Sequence, residues 1–200
     1  MLDVLPPFER ALWGTALYSG LRIGELRALR WRDIDFAGRK IHVRRSWDDV
    51  EGEIEVKSDA GTRAVPLAGP LREELERHRA ASDRGPDGLV FGRTAQTAFV
   101  RTTPRRRAVA AVRAHNETTR AKAEAEGRDV RSDELVELLS PHEARHTAAS
   151  YLIAAGLNPK QLQTYIGHSD IRTTYNVYGH LFDGDEMQAA EQLDEYLAAA

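Results

Sequence analysis

The chain has 200 residues, of which 42% are hydrophobic and 30% charged, with a formal net charge of −3; that length supports one domain with its own core and no need of covalent staples. It contains no cysteine, which excludes disulfides, thiolate metal sites and cysteine nucleophiles. No apolar run approaches the ~18 residues of a spanning helix, and MLDVLPPFER lacks the charged-then-apolar order of a signal peptide, so the chain reads as cytoplasmic.

In chain order, Pro6 and Pro7 precede FERALWGTALYS, whose Phe8, Leu12 and Ala16 recur at helical spacing, with Gly20 as the stop. A short helix through RIGELRAL follows. The period then changes. KIHVRRSW, EIEVK and TRAVPL are β-rich runs separated by the turn-like DDVEG and SDAG, which predicts a three-stranded antiparallel sheet. Pro70 opens the helix PLREELERHRAAS, GLVFG is a brief extended piece, and an Arg-rich, mainly helical stretch comes next. PHEARHTAASYLIAAG has Pro at its start and Gly at its end, Asn158-Pro159 starts KQLQTYIG, Ser169 is placed to cap DIRTTYNVY, and EMQAAEQLDEYLAAA forms a last helix. The expected fold class is α+β, mainly α-helical, with the small sheet near the N-terminal third and one domain over residues 1–200.

The net charge gives no global support for a polyanionic partner, so the placement of charge matters. From Arg101 to Arg131 there are nine basic residues against four acids, a local excess of +5, whereas every charge after His180 is acidic. Arg101, Arg105, Arg106 and Arg107 head the basic run. They fit either a solvated helix face or contact with a phosphate backbone.

His142-Glu143-Ala144-Arg145-His146 matches H-E-x-x-H, in which two histidines hold zinc and the glutamate activates water. At about 100° per residue, Arg145 falls about 60° to one side of His142 and His146 about 40° to the other, so all three share a face. A zinc ion there would sit beside a guanidinium, an unfavourable arrangement. Position 152, where the extended pattern would have a third histidine, is Leu152. The same letters contain His142-x-x-Arg145, a pair suited to gripping a phosphate.

GLRIGEL, EVKSDAGTRAVPL, PHEARHT and IGHSDIRTTYNVYGHLF, in that order along nearly the whole chain, resemble the catalytic domain of the tyrosine recombinases, or phage integrase family. Position by position, the resemblance implies that Arg22 is the first arginine, Glu25 the acid that accompanies it, and Lys57 the lysine of the β-hairpin. His142 and Arg145 would be the H-x-x-R pair, His168 the later histidine and Tyr178 the nucleophile. Glu143 would be incidental, and His146 structural, its ring packed or hydrogen-bonded behind the active face.

The implied reaction is transesterification on double-stranded DNA. Tyr178 attacks phosphorus to form a 3′-phosphotyrosyl link and release a 5′ hydroxyl, with no metal and no other cofactor. Two arginines clamp the non-bridging oxygens, His142 is placed to accept the tyrosine proton, and Lys57 to give one to the leaving oxygen. His168 would bond the phosphate or support the pocket wall.

The chain departs from the pattern in two respects. Tyr178 lies ten residues after His168, where much of the family has nine, and Tyr175 is a competitor three residues earlier; Gly179-His180 after Tyr178 favours the later tyrosine. The resemblance also implies an N-terminal DNA-binding domain, which is absent from this chain. The last helix, with Leu193, Tyr196 and Leu197, would dock on a neighbouring protomer of a homo-oligomer on DNA or pack on its own chain. The competing functions are a type IB topoisomerase, an inactive DNA-binding relative and, more remotely, a zinc hydrolase.

Overall fold

Pro7 at the first helical position starts α1 (Pro7–Ser19), and Gly20, at φ 66°, ends it in the left-handed region with its N–H donating to the Ala16 carbonyl at 3.1 Å. The computed structural model describes residues 1–56, 62–182 and 186–198. Within them α1 is the hub: Leu12, Trp13 and Ala16 are buried, and the helix packs against both α3 (Gly69–Ala80) and α5 (Pro141–Ala154). The short α2 (Ile23–Ala28) follows Gly20 after a turn of two residues. Its Leu26 joins the same core, worth about 2 kcal/mol for full burial of such a side chain.

Among the described residues, five strands form two small sheets. β1 (Ile34–Asp35), β2 (Lys40–Val43) and β5 (Arg63–Pro66) make a three-stranded antiparallel sheet in the order β1-β2-β5, with Ile41 opposite both Ile34 and Val65. β3 (Arg45–Asp48) and β4 (Gly52–Glu55) make a separate hairpin, Arg45 opposite Glu55, which lies against α2. The expected sheet has the right size and sense but a different membership. KIHVRRSW divides at Arg44, and Ile34–Asp35 takes the place assigned to EIEVK. The physical reason is burial: β2 turns Ile41 and Val43 into the core and β5 turns Val65 in, whereas β4 has no buried residue to anchor it there.

GLVFG, expected as an extended piece, is instead a bent segment with a single antiparallel bridge, Leu89 to Arg30; its Leu89, Val90 and Phe91 are fully buried and the Val90 N–H donates to the Leu29 carbonyl at 2.8 Å. The Arg-rich stretch forms α4 (Thr103–Ala125). Ser140 and Glu143 cap α5 reciprocally, and Asn158 with Gln161 does the same for α6 (Pro159–Ile166). At α7 (Ile171–Tyr178) the cap is Asp170 rather than Ser169, its carboxylate accepting from the Arg172 N–H at 2.8 Å. The last helix is α8 (Glu186–Ala198). A second, smaller apolar cluster joins Ala149 of α5, Leu162 and Ile166 of α6 and Tyr178 of α7, with Leu152, Ile153 and Phe182 packed on it. This cluster locks α7 onto the body of the domain. Among the described residues no helix is long and apolar enough to cross a membrane.

A Cβ added at Gly20 would lie 2.9 Å from Ile166 Cδ1 and 3.2 Å from Ala148 Cβ, whereas one at Gly52, also left-handed at φ 79°, would meet nothing. Gly52→Ala should therefore cost only backbone strain, about 1 kcal/mol, and Gly20→Ala roughly 2 kcal/mol or more. Urea unfolding of the two variants measures the difference; equal losses would mean that α1, α5 and α6 can part freely at that point.

Candidate active site

Arg22 stands between α1 and α2, where the chain turns out of Gly20, and serves as the N-cap of α2. Glu25, on the first turn of α2, accepts from the Arg22 backbone N–H at 2.8 Å and from Arg22 Nη1 at 3.0 Å. It also receives a two-pronged guanidinium from β5: Arg63 Nη1 donates to Oε1 at 2.8 Å and Nη2 to Oε2 at 2.9 Å. Glu25 is only 3% exposed. Burial alone would raise its pKa, but the Arg63 hydrogen bonds and charge, with those of Arg22, outweigh it and hold the carboxyl below the usual range.

The second arginine comes from α5. Arg145 is buried, and its Nη1 and Nη2 donate to the carbonyls of Gly20 and Ile166, each at 2.6 Å. Arg22 Nη2 donates to the carbonyl of Gly167 at 2.7 Å. Gly20 and Gly167 are the residues that end α1 and α6. Both guanidiniums are thus held by carbonyls at helix C-termini, where the dipole is negative. Burial, then the charge of Arg22, brings Arg145 down to about 10, so it remains charged at neutral pH.

The H-E-x-x-H letters resolve into three separate jobs. Glu143 belongs to the helix cap: its carboxylate accepts from the Ser140 N–H at 2.6 Å, and that capping holds its pKa low. His142 and His146 face each other, Nε2 to Nε2, at 2.9 Å. On its other side, His146 Nδ1 lies 2.9 Å from the hydroxyl of Tyr178. Among the described residues no group of three or more His, Asp or Glu side chains is arranged to hold a metal ion.

Tyr178 is 4% exposed, its ring in the small apolar cluster, whereas Tyr175 is 53% exposed. The ring of His168 stacks on that of Tyr178, 10° from parallel with centroids 6.3 Å apart, and its Nδ1 lies 3.0 Å from the hydroxyl of Thr174. With Nδ1 accepting from that hydroxyl, Nε2 carries the hydrogen and is left free to donate. Burial, followed by the charges of Arg145, Arg22 and Arg63, pushes His168 down to about 4, so its ring is neutral at pH 7. Burial pushes the Tyr178 phenol up, with Arg145 opposing.

Arg22, His142, Arg145 and His168 line one open groove of about 880 Å³, together with Arg101 from the turn before α4 and Arg105 and Arg106 from its start. Ile23, Thr102 and Val109 complete much of its wall. Arg107 does not line it; its Nη1 lies 3.3 Å from Glu9 of α1, because one residue further round α4 the side chain leaves the groove face. Lys57 lies outside the described residues. The site therefore joins residues from six segments of the chain. One of its members, Arg63, escapes sequence reasoning. Arg63 shares the inward face of β5 with buried Val65, and a charged residue in the apolar register of a strand is the signal that could have marked it. His146, expected to be packed or hydrogen-bonded behind the active face, does not line the groove; its two ring nitrogens lie within hydrogen-bond reach of His142 and Tyr178, a bridging position that its spacing one helical turn after His142 could have marked.

Residues 5–184 match the model of a family described as the phage integrase family. The chain is 30% identical over 183 residues to the prophage integrase IntR of Escherichia coli (strain K12), covering 86% of this chain and 43% of that protein. It is 27% identical over 193 residues to the ICEBs1 integrase of Bacillus subtilis (strain 168), covering 94% and 49%. The chain thus spans about half, or less, of the length of these curated relatives. Among solved structures, the Tn1549 transposon integrase in complex with circular intermediate DNA superposes with a TM-score of 0.62 at 23% identity, over 94% of this chain and 59% of that one. XerA recombinase gives 0.58 at 20%, over 98% and 59%. At such identities the likeness establishes the shared fold.

Two outcomes test the electrostatics. Arg63→Met leaves Glu25 short of its two-pronged partner and should cost roughly 3–5 kcal/mol in urea unfolding, while Glu25→Gln combined with Arg63→Met should cost less than the sum of the single changes. His168 has a folded pKa of about 4 against about 6.5 unfolded, so between those values the unfolded chain binds the extra proton. Its contribution is complete above pH 6.5 and is lost as the pH falls toward 4. The Tm of wild type should consequently drop more steeply over that window than the Tm of His168→Phe.

Proposed function

Because the chain belongs to the phage integrase family, we propose that it is the catalytic domain of a site-specific DNA recombinase that cuts and rejoins strands through Tyr178. The observation that carries this reading is the convergence of two arginines and two histidines on one groove wall, with the Tyr178 hydroxyl tied to that wall through His146. A scissile phosphate in the groove would meet Arg22 and Arg145 on its non-bridging oxygens and His168 Nε2–H as a further donor. Each carries its hydrogens into a site already oriented by Glu25, the helix-end carbonyls and Thr174.

In the proposed step the phenolic oxygen of Tyr178 bonds to phosphorus, its proton passes to a histidine, and the bond to the 5′ oxygen breaks. Lys57 supplies the proton that the leaving oxygen needs, yielding a 3′-phosphotyrosyl link and a 5′ hydroxyl. That hydroxyl, or one on another strand, reverses the step without any outside energy source. Arg101, Arg105 and Arg106 extend the positive wall and are read as backbone contacts to duplex DNA. As an enzyme of chromosomal or mobile DNA it would act in the cytoplasm. On α8, Leu193, Tyr196 and Leu197 are 56%, 72% and 61% exposed, an apolar stripe suited to docking on a second copy when protomers assemble on DNA.

The test is covalent trapping on a nicked copy of the recombination site with the full-length protein. Wild type and Tyr175→Phe should form a protein–DNA adduct, with or without chelator, and Tyr178→Phe none. Arg22→Ala and Arg145→Ala should each slow adduct formation at least 10²- to 10³-fold, the range for one lost oxyanion donor. DNA binding without any adduct in wild type would instead indicate an inactive DNA-binding relative.

A further inference from the structure

Given Tyr178 as the nucleophile, the histidine that activates it remains to be assigned. His142 lines the groove, but it reaches the tyrosine only through His146, whose Nδ1 is 2.9 Å from the Tyr178 hydroxyl and whose Nε2 is 2.9 Å from His142 Nε2. The His168 ring is nearly parallel to that of Tyr178 with centroids 6.3 Å apart, and its Nδ1 is engaged by Thr174, so it does not compete for the phenolic proton. Three rings stand in a row from the small apolar cluster to the groove: Tyr178 tilted on His146, with centroids 5.5 Å apart, and His146 edge-on to His142, at 4.4 Å.

We propose that His146 is the catalytic base for Tyr178 and that the two histidines of HEARH form a proton relay from the buried hydroxyl to the groove. This inference rests on the reading of Tyr178 as nucleophile. In the resting arrangement the Tyr178 hydroxyl donates to His146 Nδ1, and His146 Nε2–H donates to His142 Nε2. As the phenolic oxygen bonds to phosphorus, its O–H bond breaks and the proton goes to Nδ1. The Nε2 proton of His146 crosses to His142, which becomes the imidazolium. One proton has then moved from Tyr178 to His142, and no outside acid, base or oxidant is involved. The positive charge arrives at the groove wall as negative charge grows on the phosphate, and the reverse transfer returns the proton to Tyr178 on rejoining.

The surroundings suit this direction of transfer. His146 is half-buried and faces His142, Glu143 and Arg145 on its own helix and Tyr178 on α7, with His168 close by. Burial, then the charges of His142 and Arg145, holds its imidazole below the usual value, so it is neutral and able to accept at pH 7. The phenol is pushed the other way and keeps its proton until a base takes it.

His146→Asn keeps a hydrogen-bond partner near the Nδ1 position but cannot take up a proton. The measurement is the pH profile of adduct formation by the full-length protein on a nicked site whose bridging 5′ oxygen is replaced by sulfur. That leaving group needs no acid, so the profile isolates activation of the tyrosine. At pH 7 the variant should be slower by roughly 10²- to 10⁴-fold. Its rate should climb up to about tenfold per pH unit toward the phenol's own ionisation, which burial holds above the ordinary tyrosine value, with DNA affinity unchanged. His142→Asn, which truncates the relay but leaves the base, should lose less. A wild-type rate in His146→Asn, or a slower rate with the wild-type pH profile, would overturn the proposal, the second by reducing His146 to a positioning residue. An adduct in Tyr178→Phe would overturn the nucleophile assignment beneath it, and is distinguishable from either.

Discussion

The architecture depends on one buried carboxylate. Glu25 binds Arg22 and Arg63 directly and lies close enough to Arg145 to act on it electrostatically, so a single negative charge is set among three positive ones. An unbalanced group of this kind would be costly in a low-dielectric interior. The fold offsets part of the excess with carbonyls at the ends of α1 and α6, aimed at Arg145 and Arg22. The remainder is left facing an open groove. An anion placed there would reduce that excess further.

The same contacts explain why the domain is organised around α1. Arg145 reaches back from α5 to the carbonyl that follows α1, and Arg63 reaches from β5 to the Tyr165 carbonyl of α6, at 2.8 Å. Helix packing and charge pairing thus hold the same elements in the same register. Tyr178 is supported separately. The cluster of Ala149, Leu162 and Ile166 fixes its ring, leaving only the hydroxyl to be directed by His146. This division fits the role proposed for Tyr178, which asks for a ring rigid in position and a hydroxyl adjustable in protonation. A net charge of −3 likewise says little about this groove, whose lining includes Arg22, Arg101, Arg105, Arg106 and Arg145.

Much of this was legible in the order of residues. The helix starts at Pro7, Pro141 and Asn158 and the stop at Gly20 are local chemistry, decided within a few residues of each cap, and so were readable without the fold. So was the sharing of one face by His142, Arg145 and His146, which needs only the helical period. Sheet membership was less accessible. Which of EIEVK and Ile34–Asp35 pairs with β2 depends on which has an apolar face available to the core, a property of the assembled layers.

By itself, then, the sequence determined the family pattern, the helical scaffold and the identities of Arg22, His142, Arg145, His168 and Tyr178 as the groups to examine. Tertiary structure alone decided which of them touch. It buried Tyr178 and exposed Tyr175, though both lie on α7, because only the face of that helix toward α5 and α6 meets apolar side chains. It turned Arg106 to the groove and Arg107 to Glu9, and it brought Arg63 to Glu25 and His146 to Tyr178, pairs separated by 38 and 32 residues. Such pairings carry no periodicity along the chain. They arise only when packing places distant elements within hydrogen-bond reach.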